Sequence, residues 1–355
     1  MATPLTRLTR TKALTCSFST PYRAFQSTYA SPLQLLSTCK TADLKSIANA
    51  IGSNTGGIKA VLAANLQHDL QRDRFALPKS TNGMTVLESG HNIVSIDMGI
   101  RNLAFCRICL PPNWGSAAQS TVPIVHDWAR IVVSKRADPE SLVDDAKQSA
   151  PKEAFDPATY ARHAYLLVQK LLSTSQPTQI LIERQRFRSM GGSAVQEWTL
   201  RVNMFEAMLY AVFETLSEQG SWKGAVHPIG PAKVSRFWLD HAESGSETKS
   251  GSKSSKTKAA KIDLVAKWLG DGERFELRGA AAKLGQAFLQ KRKGAKRVVV
   301  QQDELILNTS DRSVEVEMGK LDDLADCLLQ GMAWVQWERN RRTILTDGMQ
   351  ALPVL

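Results

Sequence analysis

Acidic side chains are missing from the first 42 positions of this 355-residue chain; the first is Asp43. That stretch also lacks an apolar run of the roughly 7–15 residues a secretory signal needs, which disfavours such a signal. No segment anywhere approaches the roughly 20 consecutive apolar residues of a membrane span. Cysteine is scarce: there are five, an odd number without regular spacing, which excludes a disulfide framework. Neither cysteine nor the six histidines cluster, so no soft-metal site competes for attention. The CxxC at Cys106 and Cys109 falls on an expected strand, where i and i+3 point to opposite faces, and reads as two core cysteines rather than a ligand pair.

Positive charge is plentiful. Lys and Arg number 45 against 34 Asp and Glu, a net +11, and the pI is near 9.5. Such an excess calls for an anionic partner, with nucleic acid and a membrane surface as first candidates. Apolar residues make up 43%, enough for a packed core. The length allows two domains, or one large domain with appendages. Arg7, Arg10, Lys12, Arg23 and Lys40 stand among many Ser and Thr at the acid-free start. A basic, hydroxyl-rich, acid-free leader is the pattern of a mitochondrial transit peptide, expected over residues 1–30. The reducing matrix suits unpaired cysteines.

Residues 31–72 read as short helices. Leu44, Ile47, Ala48 and Ile51 fall at helical spacing before Gly52, and Ile58, Val61, Leu62 and Leu66 form a second stripe. Two helices around a Gly-containing turn resemble a SAP-like DNA-binding module, although a plain helical hairpin docked on the main domain fits the same pattern. A linker is expected over 73–90, with Pro78 and Gly83. Ile93, Val94 and Ile96 then form a strand ending at Asp97, followed by a turn and a second strand over Leu103–Leu110. A further strand is expected at Arg130–Val133. "TYARHAYLLVQKLLS" is an amphipathic helix, "QPTQILIE" a buried strand ending at Glu183, and a long helix follows with Gly at both borders. Another short strand follows in "GAVHPIGP". Residues 243–260 read as a basic low-complexity insertion. Beyond it come a helix in "AAKIDLVAKWLG" and a basic, partly helical segment. The last clear element is a helix striped by Leu321, Leu324, Leu328, Met332 and Val335, with a tail expected from 341 to 355. No internal repeat is visible.

Four acids stand out by position. Asp97 and Glu183 each end an apolar strand, and Asp323 and Asp326 sit three apart at the start of the final helix, on one helical face. Strand-end carboxylates and a helix-borne pair can converge at one sheet edge. Such a cluster repels itself unless it holds cations, and hard Mg²⁺ prefers oxygen ligands. Two ions about 3.5–4 Å apart activate water and stabilise the leaving oxygen of a phosphodiester. Taken singly, each acid is ordinary: Asp at a helix start usually caps or complements the dipole. Asp322 and Asp326 are also neighbours at i and i+4, so spacing alone leaves Asp322 open as an alternative to Asp323.

The segments "IVSIDMGIRNLAFC", "ILIERQRFRS" and "KLDDLADCLLQGMAW" closely resemble the fungal mitochondrial Holliday-junction resolvases, in the RuvC-like branch of the RNase H-like superfamily. The likeness covers about residues 90–340. It implies an α/β domain over 91–340 with a mixed five-stranded sheet and helices on both faces. It implies Asp97, Glu183, Asp323 and Asp326 as catalytic ligands of two Mg²⁺, with Mn²⁺ as a possible substitute. Asp323 is preferred over Asp322 because the family pattern is acid-x-x-acid. It further implies symmetric cutting of four-way junctions in mitochondrial DNA by a homodimer in the matrix, with no membrane partner. The helix around Trp198–Phe213 is apolar enough either for that interface or for burial within one chain.

Arg184, Arg186 and Arg188 flank Phe187 directly after the mid-domain acid. Guanidinium groups there would meet phosphates, and Phe187 would stack on unpaired bases. Lys258 and Lys261 lie in a basic run like that which places a lysine near the active site in RuvC-like enzymes. Lys291, Arg292 and Lys293 form a dense positive patch suited to backbone binding. Two rival readings are a catalytically inactive nucleic-acid-binding or transcription factor of the same fold, and a nuclease for RNA–DNA hybrids. The first leaves four retained acids unexplained.

Overall fold

The computed structural model describes residues 36–75, 90–100, 102–112, 114, 122–131, 133, 156–185, 197–240, 253–303 and 313–352. The expected transit peptide, and residues 76–89 of the expected linker, lie outside the described residues. Among those described, no helix is long and apolar enough to cross a membrane.

The core is a mixed sheet. Strand β1 (His91–Asp97) pairs antiparallel with β2 (Leu103–Leu110), which pairs antiparallel with β3 (Ile124–Ile131). On the other side, β1 runs parallel to β4 (Gln179–Glu183), and β4 parallel to β5 (Ala225–Ile229). The sheet has six strands, not the expected five: β6 (Glu276–Leu277) adds to the outer edge of β3, giving the order β5-β4-β1-β2-β3-β6. Two residues are too few to leave a period-2 signal, which is why β6 was not anticipated. Strand β3 starts six residues before the expected Arg130–Val133. A register shift at Arg107/Ile108 of its partner lets it span Trp128 and Val125 together.

Both faces are covered, as expected. Val94, Ile96, Phe105, Ile180 and Ile182 pack under α3 (Pro157–Ser175) and α4 (Glu197–Glu218). Ile93, Cys106, Ile108 and Leu181 face the opposite layer. That layer holds α5 (Pro231–Leu239), α6 (Lys253–Asp271), α7 (Ala280–Arg292) and α8 (Asp322–Asp347). Burial on both sides explains why β1 and β4 read as unbroken apolar runs. Helix α6 begins inside the expected low-complexity insertion, so residues 253–260 are helical; the serines and lysines there carried no apolar stripe to reveal it. A separate two-stranded sheet, β7 (Val299–Asp303) with β8 (Ser313–Glu317), was also not anticipated.

Helix α8 organises the domain. It extends to Asp347, so the expected tail from 341 begins within it, and Arg341 and Ile344 are buried. Its middle presses on the sheet at Gly331, where an added Cβ would lie 2.6 Å from Ile108 Cδ1 and 3.2 Å from Ser95 Cβ. Gln330 Nε2 donates to Ser95 Oγ (3.0 Å) and to the Ile96 carbonyl (3.1 Å), and Trp128 Nε1 donates to the Leu324 carbonyl (3.0 Å). Leu324, Leu328, Leu329 and Val335 are buried along it, each contributing about 1.5–3 kcal/mol of apolar transfer.

The N-terminal hairpin, α1 (Thr41–Ala50) with α2 (Lys59–Gln71), has its own small core of Leu44, Ile47, Ile51, Leu62, Leu66 and Leu70, which Ile344 of α8 joins. Asn340 Nδ2 donates to the Ala50 carbonyl and Arg341 Nη1 to the Leu70 carbonyl, each at 2.7 Å. The hairpin is therefore fastened to the far end of α8.

Candidate active site

The parallel register of β1 and β4 pairs Ile93 with Gln179 and Ser95 with Leu181. Continued by one step, it sets Asp97 beside Glu183. With side chains alternating along a strand, both acids share the face of Ser95 and Leu181, which is the face covered by α8. They also sit at the C-terminal ends of parallel strands, where the ladder stops and side chains can reach a ligand. The Arg184 amide donates to the Ile229 carbonyl (2.8 Å), ending β4 just after the acid.

Helix α8 supplies the other half. Asp97, Glu183, Asp326 and Gln330 line one small cavity, closed by Pro231, Val234 and Lys261. Gln330 lies four residues beyond Asp326 and seven beyond Asp323, on the same face. That spacing was available in the sequence and the residue was overlooked. Asp97 is buried; burial first, then its hydrogen bond with Glu183 and the charges of Glu183, Asp326 and Asp323, raise its pKa well above the usual range. Asp326 is raised by burial despite the opposing charge of Lys261. Asp323 is pushed up to about 6, by burial and then by Asp322, against the pull of Arg130. Arg130, also overlooked, lies against Gly319 at the approach to Asp323.

Two lysines of α6 hold this acidic face. Lys261 Nζ is 2.8 Å from Asp326 Oδ1, and Lys258 Nζ donates to Asp322 Oδ2 at 2.7 Å. Burial works against Asp322, yet the bond from Lys258 lowers its pKa overall. Asp323 differs: its Oδ2 is buried with no hydrogen-bond partner among the described residues.

Among the described residues, no three His, Cys, Asp or Glu side chains stand in metal-holding geometry. Lys261 occupies the ground beside Asp326. The donor set nonetheless fits a hard divalent cation. It is all oxygen, its members repel each other, and Asp323 Oδ2 is buried with neither a hydrogen bond nor an ion pair among the described residues.

The remaining expected contacts are scattered. Arg184 is exposed beside Glu206 and Tyr210 of α4, the layer opposite Asp97. Arg186, Phe187 and Arg188 lie outside the described residues. Arg292 is engaged with Asp263 (Nε–Oδ1, 2.7 Å), and Lys291 Nζ donates to the Lys296 carbonyl. Lys293 is exposed. Cys106 and Cys109 are both free; Cys106 is in the core as expected, whereas Cys109 is only partly buried, beside Arg107 and Asn92.

Residues 93–344 match the family described as mitochondrial resolvase Ydc2 / RNA splicing MRS1. The chain is 24% identical over 329 residues to cruciform cutting endonuclease 1, mitochondrial, of Saccharomyces cerevisiae, covering 88% of this chain and 87% of that protein. It is 27% identical over 250 residues to the protein of the same name from Schizosaccharomyces pombe, covering 69% and 78%. The crystal structure of the yeast mitochondrial Holliday junction resolvase, Ydc2, superimposes with a TM-score of 0.52 at 22% identity, over 88% of this chain and 99% of that one. That likeness shows the fold. With the match spanning the sheet, the cavity and nearly all of α8, this chain belongs to the mitochondrial resolvase Ydc2 / RNA splicing MRS1 family.

Proposed function

We propose that the protein is a mitochondrial, Mg²⁺-dependent endonuclease that resolves four-way DNA junctions by paired, symmetric phosphodiester hydrolysis. The observation that carries this reading is the meeting of Asp97 and Glu183, on adjacent parallel strands, with Asp326 in one cavity. The family description spans a resolvase and a splicing factor, and acids kept at every expected position favour the cutting role.

Asp97, Glu183, Asp326 and Asp323 would hold the Mg²⁺ pair. The unpartnered Oδ2 of Asp323 supports its choice over Asp322, whose carboxylate is taken by Lys258. When bound, the ions activate water and stabilise charge on the leaving oxygen. Gln330, anchored to Ser95 and the Ile96 carbonyl, holds the floor of the cavity rigid. Lys261, released from Asp326, would turn its ammonium toward the scissile phosphate. Two opposed strands must be cut, so two centres related by a two-fold axis are required, and a homodimer supplies them. In α4, Val202, Phe205, Leu209 and Phe213 are used within the chain, while Trp198 and Leu200 remain 40% and 48% exposed and would meet the second copy. The N-terminal hairpin, SAP-like in pattern, would touch a junction arm.

The test incubates purified protein with four-way, duplex and RNA–DNA hybrid substrates, with and without Mg²⁺. Paired symmetric nicks confined to the four-way substrate are expected. Asp97→Asn should bind junctions with unchanged affinity and cut them at least about 100-fold more slowly. Wild-type cutting by that variant, or equal cutting of hybrids, would refute the reading.

A further inference from the structure

A second cavity, distinct from the carboxylate cleft, lies where the N-terminal hairpin meets the sheet edge. Arg72 and Arg74, on the chain leaving α2, line it together with Lys233 of α5 and with Trp334 and Trp337 of α8. Arg236 stands close by, its Nη1 donating to Thr55 Oγ1 at 2.5 Å. Asp69 is the one carboxylate in the lining, and it is already engaged: its Oδ2 accepts from Ser53 Oγ at 2.6 Å and its Oδ1 lies 3.2 Å from His68 Nδ1. The cations outnumber the acid. Burial lowers the pKa of Lys233, and Arg74 and Arg236 add to that against Asp69.

The hydrogen-bond inventory leans the same way. Arg74 is 9% exposed; its Nη2 donates to the Ile51 carbonyl at 2.6 Å, while its Nη1 has no partner among the described residues. Trp334 and Trp337, which also line the cavity, each have a buried indole Nε1 without a partner among the described residues. All three are N–H donors that cannot accept. Buried donors without partners are costly, and they gather here around excess positive charge. Gly230, the N-cap of α5, belongs to the same lining and brings the positive end of that helix dipole. An oxygen-rich anion, which accepts and does not donate, suits a lining of cations and donors.

The place is also informative. Ile229 lines this cavity and pairs directly with Glu183 across the β4–β5 ladder. The cavity is thus one strand away from the catalytic carboxylates, within the footprint of a nucleic-acid backbone.

We propose that this cavity is a phosphate-binding pocket, and that it holds a backbone phosphate of the strand entering the carboxylate cleft. The strand as source rests on the junction-cutting reading; a free phosphate offers the same chemistry.

Arg72 is exposed and Lys233 partly so, which makes the double variant Arg72→Gln, Lys233→Gln the suitable probe. In inorganic phosphate, against chloride at equal ionic strength, wild-type Tm should rise by about 2 °C. The double variant should not respond, and Lys233→Arg should keep most of the gain. In metal-free buffer, the double variant should bind a four-way junction about tenfold more weakly, with a salt slope smaller by about 2. Phosphate stabilisation with unaltered junction binding would assign a free phosphate and overturn the backbone source. An equal phosphate response in wild type and double variant would overturn the pocket. If wild-type protein binds no junction at all, the function reading fails, and the phosphate arm still decides the pocket.

Discussion

Asp323→Asn should make the metal-free protein more stable at neutral pH. The carboxyl of Asp323 is pushed from 3.8 to about 6 by burial and by Asp322. A rise of about 2 units corresponds to about 3 kcal/mol. The side chain is only partly buried, so screening reduces this to about 1–2 kcal/mol. The sign follows from proton linkage: the folded state keeps its proton to higher pH than the unfolded chain, so stability falls as pH climbs from about 4 to 6 and stays low above. An amide carries no such penalty. Guanidinium unfolding in EDTA at pH 7.5 should therefore show the variant ahead by about 1–2 kcal/mol, and the gap should narrow to about a third of that at pH 4.5. Added Mg²⁺ should reverse the order, because ligation stabilises the carboxylate and not the amide. A variant less stable than wild type at pH 7.5, or a gap that ignores pH, would refute the claim that these acids repel one another in the folded protein. Such a cost, carried until a cation arrives, is the trade between stability and activity expected of a functional site.

Glu338 is fully buried between Arg341 and Arg342, so Glu338→Ala strands two guanidinium groups and should cost about 3–5 kcal/mol in thermal or denaturant unfolding. Gly331→Ala gains helix propensity but drives its Cβ toward Ile108 and Ser95; a net loss of about 1–2 kcal/mol is expected by denaturant titration. Lys261→Met removes the ammonium that competes for Asp326, so the Mg²⁺ concentration giving half-maximal Tm increase should drop by roughly threefold to tenfold.

Much of the site was legible because its chemistry sits at punctuation points. Asp97 and Glu183 each close an apolar run, and a carboxylate at that point interrupts a buried strand in a way hydropathy reveals. The face shared by Asp323 and Asp326 follows from helical period alone. The lysines of α6 were found as a charged run, but their partners Asp322 and Asp326 lie more than 60 residues on, and no local pattern links them. Strand β6 is too short for any period, and the start of α6 has no apolar stripe. The phosphate pocket draws on Arg72, Arg74, Lys233 and two tryptophans of α8, side chains that become neighbours only when the hairpin docks. Register and long-range docking are tertiary facts, and single-sequence patterns carry little of either.

Helix α8 is 26 residues long, about 39 Å of unbroken rod. One end presents Asp326 to the cavity, with Asp323 a turn before it, and the other grips the hairpin through Asn340, Arg341 and Ile344. Each residue added or removed between them would rotate one end against the other by about 100°. Insertions and deletions should therefore be purged from this stretch while being tolerated in the connecting loops, so that drift in the lineage can alter the rod's side chains but not its count.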